Sequence, residues 1–418
     1  MNLVGVLDCN NFFVSCERLF RPDLMKKPVV VLSSNDGCVV ARSQEVKDIG
    51  IPMGVPYFQV KDILKKEKVT IFSAHIALYR DISRRVFDVC EREMGVIQKY
   101  SIDECFFSIP DEGAEIFLSQ LKKTIEREVG IPVTIGVASS KTQAKYVNGV
   151  AKKTSGLEVW SSERWQKEAY SAKLATLWGV GVNRSRKFSS HSLVTVEDLC
   201  ALPNSTVRRL FGLEGARLKS ELLGEAVFMV DTKTSLNKSI MSTRSFADTT
   251  TDLRVLEDAV AHHVYQGVRD LEEMDLLANT MRIMIYPSRY GDFLLEGKSL
   301  EARFTIPTKD LFVIRHEAEK LLHQCYKKEV PYKKAGVILG GLVATKALSL
   351  SLFGEASDSR EDSTALLSKT IFDINKRFGK LSIQLGRVSG QKNKWKSSKK
   401  SQSPAYTTRW SQLQTVYT

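Results

Sequence analysis

The sequence has no run of about 18 or more apolar residues, so nothing in it reads as a membrane span. Its opening, MNLVGVLDCNNFF, has no basic leader before the apolar stretch. It reads as a strand rather than a signal peptide, and the expected location is cytoplasmic. The seven cysteines are odd in number, and none stands in C-x-x-C or with histidine at zinc spacing. That argues against a disulfide framework and a structural zinc, and for a reducing compartment. GVASSKT at 136–142 lacks the second glycine of a Walker A loop, so no ATP-hydrolysing P-loop is indicated. Acidic residues are missing from the last 45 positions, where ten basic side chains stand unopposed.

What is present describes a globular chain. Of 418 residues, 43% are hydrophobic and 26% charged, which suits two to four domains with real cores. Lys and Arg number 61 against 48 Asp and Glu, a formal charge of +13. Such a balance points to a polyanionic partner, nucleic acid or an anionic surface. Most of it is a tail property, because the first 373 residues sum to only +3.

The hydrophobic pattern predicts strands at 3–8, 28–32, about 98–103, 105–109 and 132–137. Helices are expected at about 10–20, capped by Asn10 or Asn11, then at 41–49, 113–128 and 142–153. A core-packed helix carries Tyr79, Ile82, Val86, Val89, Cys90 and Met94. With 21–77 set aside as an inserted lobe, the order is β-α-β-β-α-β, a split βαβ arrangement of the α+β class. Residues 236–345 give the same order again without sequence self-similarity. Between them, 170–235 are helical and glycine-punctuated. The tail holds an apolar segment at 348–353, a helix at about 363–378, a Ser/Lys-rich linker at 389–404, and an end, YTTRWSQL, too aromatic for a solvating tail.

The carboxylates carry the chemistry. Asp8 ends an apolar strand, where an acid is costly unless paired or metal-bound. Asp103 and Glu104, in YSIDECFFSI, head another core strand, and acids this close raise one another's pKa unless cations neutralise them. Three acids on adjacent strands can hold two Mg²⁺ ions about 3.5–4 Å apart for phosphoryl or nucleotidyl transfer. Asp103 and Glu104 would face opposite sides of a regular strand. They are therefore expected at a hairpin turn or irregularity that lets both converge. From spacing alone, surface acids or partners of Lys and Arg remain an open alternative.

D-C-N-N-F-F at 8–13, S-I-D-E at 101–104, A-x-x-x-x-x-K-x-x-G across 41–50 and A-K at 151–152 together resemble the Y-family translesion DNA polymerases. FRPDL at 20–24, SSNDGCVVAR at 33–42, MGVPYF at 53–58 and the terminal YTTRW place the resemblance in the UmuC-like branch of bacterial polymerase V and its plasmid-borne relatives. It spans essentially the whole chain. It implies a right-hand polymerase: palm over 1–165 with fingers at about 21–77, a helix-hairpin-helix thumb over 166–235, a little finger over 236–345, and a clamp-binding segment with basic tail over 346–418.

The resemblance also assigns residues. Asp8, Asp103 and Glu104 match the catalytic, metal-binding carboxylates, with the Cys9 carbonyl as a further ligand of two Mg²⁺ ions. Phe13 falls at the steric gate, where a flat aromatic leaves no room for a ribose 2′-OH. Lys47 and Lys152 match cations that grip the triphosphate, and Gln44 stands where many members carry a tyrosine on it. Gly37, Cys38, Val39, Val40 and Ala41 match the small-residue roof over the nascent base pair. WGVGVNRSRKF and FGLEG match DNA-contacting turns, with Gly179, Gly181, Gly212 and Gly215 opening the backbone to phosphates beside Arg184, Arg186 and Lys187.

SLSLF at 349–353 resembles a sliding-clamp peptide with anchors Leu350, Leu352 and Phe353. The implied partners are primer–template DNA, dNTPs, the sliding clamp, a UmuD′-like dimer and a RecA filament, with no membrane and a nucleoid-associated location. The implied activity is error-prone, DNA-templated nucleotidyl transfer past damaged bases in the SOS response. Two rivals stand beside it. One is a nucleotidyl cyclase, which also places acids on a split βαβ sheet. The other is a scaffold that brings clamp and partners to stalled DNA without catalysis.

Overall fold

The first apolar run forms strand β1 (Asn2–Cys9), buried from Leu3 onward, which is why it shows no polar alternation. The structure, a computed structural model, describes residues 2–231, 237–288, 297–345, 359–379, 382–383, 395 and 398–413. Two units make it up. One comprises Met1–Ser33, Gly37–Thr234 and Ser401–Thr418, the other Ser34–Asp36 and Ser235–Lys400.

In the first unit, α1 (Phe12–Phe20) is entered through Asn11 at φ 46°, with no side-chain cap. The asparagine expected to cap the helix instead makes the left-handed turn into it, a conformation this residue tolerates. Asn10 serves the sheet, where its Oδ1 accepts from Thr134 Oγ1 at 2.7 Å. A small three-stranded sheet follows, formed by β2 (Val29–Leu32), β3 (Val39–Arg42) and, after α2 (Gln44–Asp48) and α3 (Tyr57–Lys66), β4 (Thr70–Ser73), in the order β3-β2-β4. The helix expected from Ala41 begins only at Gln44. Val39–Arg42 pair with β2, and the buried Ser43 Oγ accepts from Val29 N at 3.1 Å. This lobe has its own core of Val30, Leu32, Val39, Val46, Ile51, Val60 and Leu64.

The chain returns through α4 (Ile76–Met94), β5 (Ile97–Lys99), β6 (Glu104–Pro110), α5 (Ala114–Glu128), β7 (Val133–Ala138), α6 (Lys141–Ala151) and β8 (Leu157–Val159). The main sheet runs β5-β6-β1-β7-β8, putting β1 in the middle between antiparallel partners β6 and β7. Helix α6 lies on this sheet at Gly136, where a Cβ would meet the Asn148 backbone nitrogen at 2.2 Å. Three short helices, α7 (Ser162–Ala169), α8 (Val182–Ser189) and α9 (Val196–Ala201), and the longer α10 (Asn204–Leu222) follow. They enclose Trp165, Leu174, Phe188, Leu199, Val207 and Leu218.

The second unit follows the predicted element order: β9 (Ser239–Thr250), α11 (Leu253–Glu273), β10 (Leu276–Pro287), β11 (Lys298–Thr308), α12 (Leu311–Cys325), β12 (Tyr332–Gly340) and the short β13 (Val343–Ala344). Its strand order, β11-β10-β12-β9, leaves the first strand at an edge. In the main sheet the first strand is central. The two copies thus share an order of elements and differ in how they are woven. Helix α13 (Ser359–Phe378) joins this unit's core through Ile371, and Asn375 Nδ2 donates to the Tyr265 hydroxyl at 2.9 Å. Leu350, Leu352 and Phe353 lie outside the described residues. Among the described residues no helix is long and apolar enough to cross a membrane.

Candidate active site

Asp8 and Glu104 face each other directly across the β1–β6 ladder. Asp103 precedes β6, in the connection from β5. Its carbonyl accepts from Cys9 N at 2.8 Å, while its carboxylate accepts from Ser101 Oγ at 2.5 Å. The turn expected to carry both acids is there, between β5 and β6, but it does not bring their carboxylates together. It turns Glu104 to Asp8 and leaves Asp103 on Ser101. Among the described residues, no three His, Cys, Asp or Glu side chains gather at metal-holding distance.

Two ammonium groups stand against the carboxyl pair. Lys152 Nζ lies 2.6 Å from Asp8 Oδ1, and Lys145 Nζ lies 2.6 Å from Glu104 Oε1. Burial pushes the Asp8 carboxyl up, the hydrogen bond with Glu104 adds to this, and Lys152 opposes it, leaving Asp8 at about 7. Burial also pushes Glu104 up, but the bond from Asp8 and the Lys145 cation outweigh it, and Glu104 sits below the ordinary range. A raised Asp8 beside a lowered Glu104 marks two desolvated acids that are costly to hold charged together without cations. Its donors are all oxygen, the set Mg²⁺ prefers, and its present counterions are long, movable lysines. The residues therefore fit a divalent cation.

Lys47, on α2, belongs to the same cluster. Burial lowers its pKa, and Arg42 and Lys152 lower it further while Asp8 acts the other way. Gln44 is exposed and donates to Asp48 Oδ1 at 2.8 Å along its own helix. Phe13 projects from α1 half-buried and stacks on Tyr79, with ring centroids 4.4 Å apart and planes at 18°. Gly37 to Ala41 run along the small sheet. Val39 N donates to Val55 O at 3.0 Å, Tyr57 N donates to Gly37 O at 2.8 Å, and only Val39 and Ala41 are buried.

In the helical part, Gly179 takes φ 81° in the turn before α8, Gly181 precedes that helix, and Arg184 Nη1 donates back to the Gly179 carbonyl at 2.8 Å. Arg186 is exposed, and the exposed Lys187 lies over the Phe211 ring at 5.7 Å. Gly212 breaks α10 with φ 70°, whereas Gly215 is buried and a Cβ there would meet Phe211 Cβ at 2.3 Å. Gly215 thus serves close packing within the helix.

Sequence reasoning missed Lys145 and Arg42. For Lys145 a signal was available: it stands seven residues before Lys152, two turns along α6, and so faces the same way.

Residues 7–149 match the impB/mucB/samB family, residues 237–352 its C-terminal domain, and residues 366–416 a domain of unknown function, DUF4113. Protein UmuC of Salmonella typhimurium strain LT2 is 30% identical over 426 residues, with 98% of this chain and 99% of that protein covered. MucB of Escherichia coli is 30% identical over 418 residues, with 98% of each covered. DNA polymerase IV of Corynebacterium diphtheriae is 27% identical over 344 residues, with 80% of this chain and 74% of that protein covered. Among solved structures, a Y-family DNA polymerase chimera built from Dbh and a Dpo4 segment superposes with a TM-score of 0.69 at 18% identity, covering 82% of this chain and 99% of that one. An insertion ternary complex of Dbh DNA polymerase gives a TM-score of 0.57 with the same coverage. At that identity the likeness is one of fold, the right-hand Y-family architecture. The near-complete matches at 30% identity carry the rest: the chain belongs to the impB/mucB/samB family.

Proposed function

We propose that this chain is an error-prone translesion DNA polymerase that adds deoxynucleotides to a primer opposite damaged template. The observation that carries the reading is the carboxyl pair Asp8–Glu104 at the heart of a split βαβ sheet, faced by Lys152, Lys145 and Lys47. Asp8, Asp103, Glu104 and the Cys9 carbonyl would hold two Mg²⁺ ions, which supply activation of the primer 3′-hydroxyl and neutralisation of the departing pyrophosphate. Asp103 would leave Ser101 to join them. Lys152 and Lys47 exchange their carboxylate neighbours for triphosphate oxygens and hold the developing negative charge in place. Phe13 lies under the sugar as the steric gate, and Gly37, Cys38, Val39, Val40 and Ala41 form the roof over the base pair.

Gly179, Gly181 and Gly212, with Arg186 and Lys187, are our choice for the phosphate contacts of the helical thumb. Leu350, Leu352 and Phe353 are our choice for a clamp contact, and a UmuD′-like dimer and a RecA filament our choice for partners in the SOS response.

Primer extension across an abasic site, with Mg²⁺ and dNTPs and with or without partners, tests the core of this reading. Asp103→Ala is expected to abolish extension and to leave DNA binding intact. Extension that persists in this variant overturns the assignment of the acids. Cyclic product formed without DNA would favour a nucleotidyl cyclase instead, and stalled-DNA recruitment with no extension by the wild type would favour a scaffold.

A further inference from the structure

Tyr79 touches two residues of α1 at once. Its ring stacks on Phe13, and its hydroxyl donates to Glu17 Oε1 at 2.6 Å. Phe13 and Glu17 are one turn apart on the same helix face, so Tyr79 on α4 clamps both. Glu17 is fully buried, and among the described residues its other oxygen, Oε2, has no hydrogen-bond partner. A carboxylate so placed depends heavily on each donor it does have.

The second donor comes from the far end of the chain. Ser403 Oγ donates to Glu17 Oε1 at 3.1 Å and lies 3.2 Å from Nδ1 of His75, the residue that precedes α4. One buried hydroxyl thus ties α1 to the start of α4. The segment around it is seated along its length. Ser73 N donates to Ser401 O at 2.9 Å, Ser401 N donates to Ser73 Oγ at 3.0 Å, and Gln402 forms a β-bridge with Ser73. Tyr406 is 7% exposed and stacks on Phe20, the last residue of α1, with centroids 4.5 Å apart. The end of the chain therefore holds α1 at two points beyond Phe13.

We propose that residues 401–406 are a positioning element for the sugar-facing ring: Ser403, acting through Glu17 and Tyr79, fixes Phe13 and so sets discrimination against ribonucleotides. This inference rests on the polymerase reading and on Phe13 as its gate. Ser403, Glu17 and Tyr79 touch no substrate in it. They act by restricting where one ring can go, because a gate that excludes by bulk works only if its backing does not yield.

The test uses the full-length chain and the ratio of kcat/KM for a dNTP to that for the matching rNTP on one template. Ser403→Ala and Tyr79→Phe, which keeps the stacked ring, are each expected to lower that ratio at least threefold. Ser403→Thr should restore it to within twofold of wild type. A merely structural role would reduce both sugars' rates together and leave the ratio unchanged, which overturns the proposal. If Ser403→Ala does not fold, Tyr79→Phe decides by the same criterion. Phe13→Ala separates the two levels. If it relaxes sugar choice while the other variants keep the wild-type ratio, this inference alone fails. If it changes nothing, the gate assignment fails and takes the inference with it.

Discussion

Lys152 Nζ sits 2.6 Å from Asp8 Oδ1, occupying the place from which a triphosphate or a metal ion would have to draw the carboxylate away. The lysine is 43% exposed and the acid 11%, so the cation is the mobile partner. On the proposed polymerase reading, nucleotide binding would amount to a hand-over, in which Lys152 turns from Asp8 to phosphate. Lys152→Ala is expected to raise KM for dNTP about tenfold or more, since a charge-assisted hydrogen bond contributes roughly 1.5–3 kcal/mol. Steady-state insertion kinetics check this, and an unchanged KM removes Lys152 from the triphosphate site.

Asp8 gives a pH dependence whose sign can be worked out. Its pKa in the folded, metal-free chain is raised to about 7 from the ordinary 3.8. The stability associated with this group is thus fully present below about 3.8 and is lost as pH rises through about 7. The loss is at most roughly 1.4 kcal/mol per pH unit. Asp8→Asn, melted without metal, should be more stable than wild type at pH 8 and should lose that slope. A Mg²⁺ ion held by Asp8 would have to displace a proton below pH 7, so its affinity should fall by up to about tenfold per unit there. Titration calorimetry at pH 6 and pH 8 reads the difference.

Lys145 holds the other half of the pair. Together with the hydrogen bond from Asp8, it keeps Glu104 below the usual carboxylate range against burial, which pushes the other way. Lys145→Met should let the Glu104 pKa rise and move the acid limb of the pH–activity profile to higher pH. An acid limb that stays in place shows that Glu104 owes its ionisation to Asp8 alone.

The parts of this site that were legible in the sequence are those written locally. Asp8 and Glu104 stand at the ends of apolar strands, and adjacent strands bring strand ends together. The two-turn spacing of Lys145 and Lys152 was equally local, but a lysine on an amphipathic helix gives no sign of which strand its face will meet. Tyr79 was rightly read as a core residue of α4, since periodicity reports burial. Its hydroxyl's task depends on Ser403, which meets Glu17 across 386 residues. No pattern with a period of a few residues carries that information. Charge counting marks the tail as a block of unopposed cations, yet its aromatic end, conspicuous in YTTRW, places Tyr406 in the core beside Phe20. Removing it should therefore loosen α1 as well as take away charge.

The close seating of α6 on the sheet gives a prediction that separates packing from chemistry. Gly136 on β7 lies under the Asn148 backbone, and an added Cβ would fall 2.2 Å from Asn148 N, 2.5 Å from its Cα and 2.7 Å from the Ala144 carbonyl oxygen. All three are backbone atoms, so no side chain can swing aside and the helix itself must lift. Overpacking of this kind typically costs about 1–3 kcal/mol and sometimes more. Because α6 carries Lys145 and leads directly into Lys152, Gly136→Ala should lower kcat/KM beyond what its loss of stability explains at temperatures where it is folded. Gly149 lies on the same helix, and among the described residues nothing comes within 4 Å of its added Cβ. Gly149→Ala should gain about 0.5–1 kcal/mol from helix propensity and leave activity alone. Thermal melting and insertion kinetics on the two variants check the pair, and equal behaviour at 136 and 149 would show that the approach of α6 to β7 is looser than these distances require.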